Sequence, residues 1–253
     1  MDQDYQRRFG GLARLYGDAP AHAIQQAHVA VVGIGGVGSW AVEALARSGV
    51  GTLTIIDLDH ISESNINRQV HALTPTIGMS KVHAMAERIS LINQSCKVGM
   101  IDDFVVAENW PSILPQGVDA VIDCCDNVKA KTAMATWALR SKCPFVMVGA
   151  AGGKRLAHRV EVANLNEVSY DPLLAKVRSE LRKNQVAPRG GEKIGISCVF
   201  SREPVTAPVV TCAAVNDGSL NCHGYGSSVT VTATFGMCAA GWVMDKISQR
   251  SSS

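Results

Sequence analysis

A doubly wound α/β sheet is the fold this sequence predicts, and three observations predict it. The first is the uncharged apolar run Val29-Ala30-Val31-Val32, which ends in Gly33-Ile34-Gly35-Gly36-Val37-Gly38 and then passes into a helical pattern. Continuous apolar runs of this kind suit strands buried on both faces, as parallel strands are. The second is a further strand-like run over residues 51–57, closing on Asp57. The third is the recurrence of the pattern: residues 118–123 form a buried strand, helical periodicity covers 128–141, and 143–149 form another strand. Strands alternating with helices make a parallel sheet covered on both sides.

A chain of 253 residues can bury one substantial core. We therefore expect a single domain over 1–253, with an arm at 1–27, a nucleotide-binding core at 28–150 and a mixed β/α extension at 151–253. Hydrophobic content of 47% and charged content of 18% fit a soluble globular protein. The net charge of +2 neither requires nor excludes nucleic acid. Eight cysteines are present and none forms a C-x-x-C pair, which argues against a four-cysteine zinc site of ordinary spacing. The polar, charged start does not read as a signal peptide, so a cytoplasmic protein with reduced thiols is expected.

Taken in order, residues 2–18 are polar with scattered apolar positions, Phe9, Leu12, Leu15 and Tyr16, and read as a short amphipathic helix or arm. Arg7, Arg8 and Arg14 lie on it, either as a solvated face or as an arm reaching a phosphate in a partner subunit. In the glycine motif, Gly33, Gly35, Gly36 and Gly38 permit a tight turn and a close backbone approach to phosphate. The helix that follows offers free N–H groups and a positive dipole end. Such a motif between strand and helix reads as a nucleotide site without saying which nucleotide. Asp57, at the end of the second strand, can accept both ribose hydroxyls. Asp59, two residues on, serves either this site or its own loop.

Residues 61–69 form a polar loop where a plain dinucleotide fold would place a helix. A helix then runs to about Asn93, with Val82, Met85, Ile89 and Ile92 on its apolar face and Lys81 in its first turn. A cation there opposes the helix dipole, and a bound phosphate would remove the conflict. Residues 98–101 are a strand, and 104–114 a connection with a helical turn. Asp126 and Asn127 follow the strand at 118–123, so they join the glycine turn and Asp57 at the carboxyl ends of strands, where such sheets bind ligands.

After Gly149 the composition changes. Residues 157–163 and 194–200 read as strands, and between them the run 176–193 holds six basic residues against two acidic ones. Pro188 and Gly190-Gly191 break any helix within it. The run is either a solvated helix and loop or a nucleic-acid contact through Arg182, Lys183 and Arg189, with Lys154, Arg155, His158 and Arg159 extending the patch. Residues 216–228 are a Gly/Ser-rich loop, and 230–247 a final buried helix. Residues 224–244 carry no charge over about the length of a bilayer span. Their many Gly, Ser and Thr residues fit a helix packed on the sheet better, so membrane association through 224–244 is the lesser alternative. Cys198, Cys212, Cys222 and Cys238 read as core or loop thiols.

Together these residues resemble the ubiquitin-activating, or E1-like, superfamily. The resemblance rests on the glycine turn, Asp57-Leu58-Asp59, Ser64-Asn65-Ile66-Asn67-Arg68-Gln69, Lys81 and Asp123-Cys124-Cys125-Asp126-Asn127. It implies a Rossmann-like sheet of the E1-like adenylation type, and ATP and Mg2+ as cofactors. By that resemblance Asp57 holds the ribose, Asn65, Arg68 and Lys81 meet the phosphates, and Asp126 positions magnesium, with Asp59 and Asn127 completing the site. Arg8-Phe9-Gly10-Gly11, the missing C-x-x-C pairs and the basic insertion are similar to the branch that dehydrates threonylcarbamoyladenosine in tRNA. This implies ATP-dependent cyclisation of that group at position 37 of tRNA. It also implies a homodimer, in which Arg8 or Arg14 stands in for a partner-subunit arginine, and cooperation with a cysteine desulfurase and its sulfur acceptor. The alternatives are adenylation of a sulfur-carrier protein's C-terminal glycine, an NAD-dependent oxidoreductase, and a protein that holds ATP and tRNA without turnover.

Overall fold

The computed structural model describes residues 3–207 and 225–250. A seven-stranded sheet runs through it in the order β3-β2-β1-β4-β5-β7-β6. These are β1 (His28–Val32), β2 (Thr52–Ile56), β3 (Lys97–Ile101), β4 (Ala120–Asp123), β5 (Phe145–Val148), β6 (Val160–Asn164) and β7 (Ser197–Ser201). All neighbours pair parallel except β6, which runs antiparallel to β7. The chain winds outward from β1 to β3, then returns to lay β4 on the other side of β1. This reversal opens a crevice at the carboxyl ends of β1 and β4.

Burial follows from the sequence pattern. In β1 and β2 four of five positions are buried, and in β4 and β5 all four are. One face of the sheet carries α3 (Asp18–Gln26), α4 (Gly38–Arg47), α5 (Lys81–Ile92) and α8 (Val229–Arg250), packed through Ile24, Leu45, Met85 and Phe235. The other carries α6 (Val128–Arg140) and α7 (Pro172–Lys183), packed through Met134, Leu174 and Leu181. The arm is two short helices, α1 (Gln3–Phe9) and α2 (Gly11–Tyr16). It docks by the Tyr5 hydroxyl donating to the Gly49 carbonyl at 2.8 Å.

Helix α8 packs one face into the core, through Val231, Phe235, Ala239 and Val243. A Cβ on Gly236 would stand 2.5 Å from the Val37 carbonyl oxygen and 2.8 Å from the Ala41 nitrogen, so only glycine lets α8 approach α4 this closely. Among the described residues no helix is long and apolar enough to cross a membrane. Residues 157–159 form a 3-10 turn rather than the start of a strand, because Glu203 accepts the N–H groups of Arg155 and Leu156 just upstream. Helix α7 begins ahead of the basic run, at Pro172, with Asp171 as its cap accepting from the Leu174 N–H at 3.0 Å. Most of the loop expected at 216–228, and the thiols Cys212 and Cys222, lie outside the described residues.

Candidate nucleotide site

The glycines of the first turn divide their roles. Gly33 has φ +77°, a left-handed conformation that favours glycine, and a Cβ there would press on the backbone of residues 124–125. A Cβ on Gly38 would collide with the Gly33 carbonyl oxygen. Gly35 and Gly36 face space: a Cβ on either meets only side-chain atoms of Gln69 or Arg68 at 3.4 Å or more. Two glycines therefore build the turn and two leave room above it, at the amino end of α4.

Asp57 holds this turn from the neighbouring strand. Its Oδ2 accepts the Ile34 N–H at 2.8 Å and its Oδ1 the Asp59 N–H at 3.0 Å. Burial pushes its carboxyl above the usual range, against the pull of the Lys81 ammonium and the two N–H donors. Lys81 is 6% exposed and lies 2.6 Å from Asp59 Oδ2 and 3.6 Å from Asp57 Oδ1. The conflict between its charge and the dipole of α5 is thus already relieved by two carboxylates within the chain.

The polar loop forms a 3-10 turn, Glu63–Asn65, that places Arg68 beside Gly36. The Arg68 guanidinium donates to the Ser64 carbonyl at 2.7 Å and to Asn67 Oδ1 at 3.0 Å. Its own carbonyl accepts the Trp40 indole N–H at 2.9 Å, fastening the loop to α4. Asn65 is 5% exposed, and its Oδ1 accepts the Ser62 N–H. His71, which carried no sequence signal, bonds through Nε2 to the Ile34 carbonyl at 2.8 Å. Burial holds its imidazole down, to about 4.

Residues 124–127 are pinned at both ends. Asn127 caps α6, its Oδ1 accepting the N–H groups of Lys129 and Ala130. At the other end, Asp123 Oδ1 accepts from the Cys125 N–H and Sγ–H. The Lys131 ammonium, fully buried, lies 3.1 Å from Asp123 Oδ2 and donates to the Val148 carbonyl at 2.7 Å, bridging β4 and β5. Burial lifts the Asp123 carboxyl; burial also pulls the Lys131 ammonium down, but the charge and hydrogen bond of Asp123 together with the neighbouring Cys125 and Cys124 outweigh this and raise it. Lys131 is legible in retrospect as a lone cation on an apolar helix face with Ala130, Met134 and Ala135. Between the two clamps Asp126 is exposed, with no hydrogen bond or ion pair among the described residues. Burial raises both the Cys124 and Cys125 thiols, so neither is a ready thiolate.

The basic residues separate into two kinds. Arg155, Arg159, Lys183 and Arg189 are exposed. Arg182 instead donates to the Pro188 and Gly190 carbonyls, shaping its own loop. Lys154 is buried, not part of a surface patch: its ammonium donates to the Tyr170, Ser201 and Glu203 carbonyls, brought together by the fold.

A crevice floored by open glycines and helix N–H groups, walled by Arg68 and Lys81 and edged by Asp57 and Asp126, suits a nucleotide's phosphates and ribose. The profile of the ThiF family matches residues 5–253. The chain belongs to the ThiF family. Among ThiF-family proteins, the tRNA threonylcarbamoyladenosine dehydratase of Haemophilus influenzae is 45% identical over 251 residues, 98% of this chain and 96% of its own. The protein of that name from Escherichia coli is 41% identical over 252 residues, 96% and 94% of the two chains. A crystal structure of the E. coli tRNA N6-threonylcarbamoyladenosine dehydratase in complex with ATP matches with a TM-score of 0.90 at 40% identity, covering 99% of this chain and 98% of that one. The E1-like fold expected from the motifs is thus the ThiF-family fold observed. Among the described residues no group of three or more His, Cys, Asp or Glu side chains is gathered to hold a metal.

Proposed function

We propose that this chain uses ATP to cyclise the threonylcarbamoyl group of N6-threonylcarbamoyladenosine at position 37 of tRNA, through an acyl-adenylate. The observation that carries this reading is the full-length likeness to two dehydratases of that name, 45% and 41% identical. The site's chemistry supports it. ATP lies with its ribose on Asp57 and its phosphates over Gly35 and Gly36, against Asn65, Arg68 and Lys81, with Asp59 and Asn127 at the margins. The threonyl carboxylate attacks the α-phosphorus, and pyrophosphate leaves as Arg68 and Lys81 offset its growing charge. An atom of the neighbouring carbamoyl group then attacks the activated carbonyl and closes a five-membered ring. The carbamoyl group loses one N–H proton, and AMP departs with the former carboxylate oxygen. Both reacting groups belong to one residue, so proximity carries the closure. No enzyme nucleophile is needed, in keeping with the raised thiols of Cys124 and Cys125.

Asp126 is a hard oxygen donor left uncommitted, which fits Mg2+, whose other ligands would be phosphate oxygens and water. When bound, that ion would offset phosphate charge. A homodimer is part of this reading. Arg8 is paired with Asp4 at 2.7 Å, whereas Arg14 is exposed beside Leu15, itself 76% exposed, so Arg14 is the better candidate to reach a partner's phosphates. A cysteine desulfurase with its sulfur acceptor, and a cytoplasmic setting, complete the proposal. Hydride transfer on NAD would leave Arg68, Lys81 and Asp126 without roles.

Mass spectrometry of nucleosides from threonylcarbamoylated tRNA, incubated with the protein and ATP, tests the reading. The product should be lighter by one water and form only with ATP. Pyrophosphate release with a carrier protein's C-terminus, but not with tRNA, would establish the alternative adenylation instead.

A further inference from the structure

Away from the crevice, α6 and α7 enclose a cleft of about 1260 Å³. Typical small-molecule pockets hold roughly 300–1,000 Å³, so this one suits a larger occupant. Trp110 and Trp137 line it, their rings edge to face at 5.3 Å. The Trp110 indole N–H is buried with no hydrogen-bond partner among the described residues. Four exposed cations stand on the walls, Lys129 and Arg140 on α6, Lys176 and Lys183 on α7. Glu180, 4.0 Å from Lys183, is the one acidic lining residue among those described.

The direction of the helices gives these charges an order. Both helices start at the carboxyl edge of the sheet: α6 at the cap Asn127, next to Asp126, and α7 at Asp171, whose Oδ2 accepts the Ala150 N–H at 2.9 Å. They run from that edge toward the opposite end of the sheet. From Lys129 to Arg140 the charges therefore span about 16 Å along α6, at roughly 1.5 Å per residue. Trp110 belongs to the core, at 7% exposure, so the half-buried Trp137 is the ring left to stack on a base, and the flanking cations can pair with phosphates. A small metabolite would not fill the cleft.

We propose that the α6–α7 cleft is a track for the tRNA strand that leads away from the nucleotide crevice, at whose edge α6 begins. This rests on the tRNA reading above and deepens it. The track includes Lys183 of the basic run, but adds Lys129, Arg140 and Lys176.

The test is tRNA binding by wild type and by the triple variant Arg140→Gln, Lys176→Gln and Lys183→Gln across a salt series, with sedimentation of both proteins. The variant should bind tRNA about tenfold or more weakly near 0.15 M salt. Its line of log affinity against log salt should be shallower by about 0.7 for each single-strand phosphate that the variant no longer neutralises. Superimposable lines, with wild type active on tRNA, would overturn the track and leave the function standing. A change in sedimenting mass with the salt slope unaltered would make the cleft an interface between copies, and would also overturn it. A wild-type protein that neither binds nor cyclises tRNA would remove both the function and the track.

Discussion

Single atoms decide what the glycine turn tolerates. A methyl group at Gly36 meets the Arg68 side chain at 3.4 Å, which is ordinary contact, whereas one at Gly38 collides with the Gly33 carbonyl. Gly36→Ala should therefore melt near wild type but bind ATP several-fold more weakly, because the added group occupies the phosphate space. Gly38→Ala should be destabilised by about 1–3 kcal/mol, as overpacked interiors are. Calorimetry of ATP binding alongside thermal melts separates the two; equal ATP affinity in wild type and Gly36→Ala would show that phosphates do not lie there. Asp126 offers the complementary case. Among the described residues nothing engages its carboxylate, so Asp126→Asn should leave the melting temperature unchanged while ATP–pyrophosphate exchange falls by about 10²-fold or more. Undiminished exchange in the folded variant would remove Asp126 from the reaction.

At the scale of elements, α6 and the ends of β4 and β5 are joined by one buried ion pair. Lys131→Met should strand the Asp123 carboxylate and cost about 3–5 kcal/mol. Replacing both partners, Lys131→Met with Asp123→Leu, should recover part of that loss in urea titrations. A double variant no more stable than the single one would show that Asp123 matters chiefly through the Cys125 turn. Why the sequence disclosed some elements and not others follows from reach. The strands and the glycine turn are local patterns, visible in five to ten adjacent residues. Lys81 and Asp126 are legible because each stands at a helix or strand end, whereas Asn65 and Arg68 lie in a polar loop and are legible only through the E1-like motif. Lys154 and Arg182 looked like surface charges because their acceptors come from elsewhere: Tyr170, Ser201 and Glu203 for one, a folded-back loop for the other. His71 has no pattern at all; only the fold brings it under Ile34.

For the whole molecule, that same histidine sets a dependence on pH. Its ordinary value is 6.5 and burial holds it at about 4, so between these values the unfolded chain binds a proton that the folded chain refuses. Stability is therefore full above about pH 6.5 and falls as pH is lowered toward 4, by about 3 kcal/mol at most. Urea titrations at pH 7 and pH 5 should show the loss in wild type and a smaller one in His71→Gln. Equal losses would place the acid sensitivity elsewhere. The loop that His71 closes is also tied from far along the chain. Asn67 donates to the Ser227 carbonyl at 3.1 Å, Thr232 Oγ1 reaches the Arg68 carbonyl at 3.5 Å, and α8 rests on α4 through Gly236. On the ribosome these fastenings arrive late: about 160 residues must follow Arg68 before Ser227 and Thr232 exist to hold it. A nascent chain can have its glycine turn in place, with Arg68 fastened to α4 through Trp40, while the ties from Ser227 and Thr232 are still missing, so the loop is fully fixed only once those residues have been made and not when the motif itself emerges.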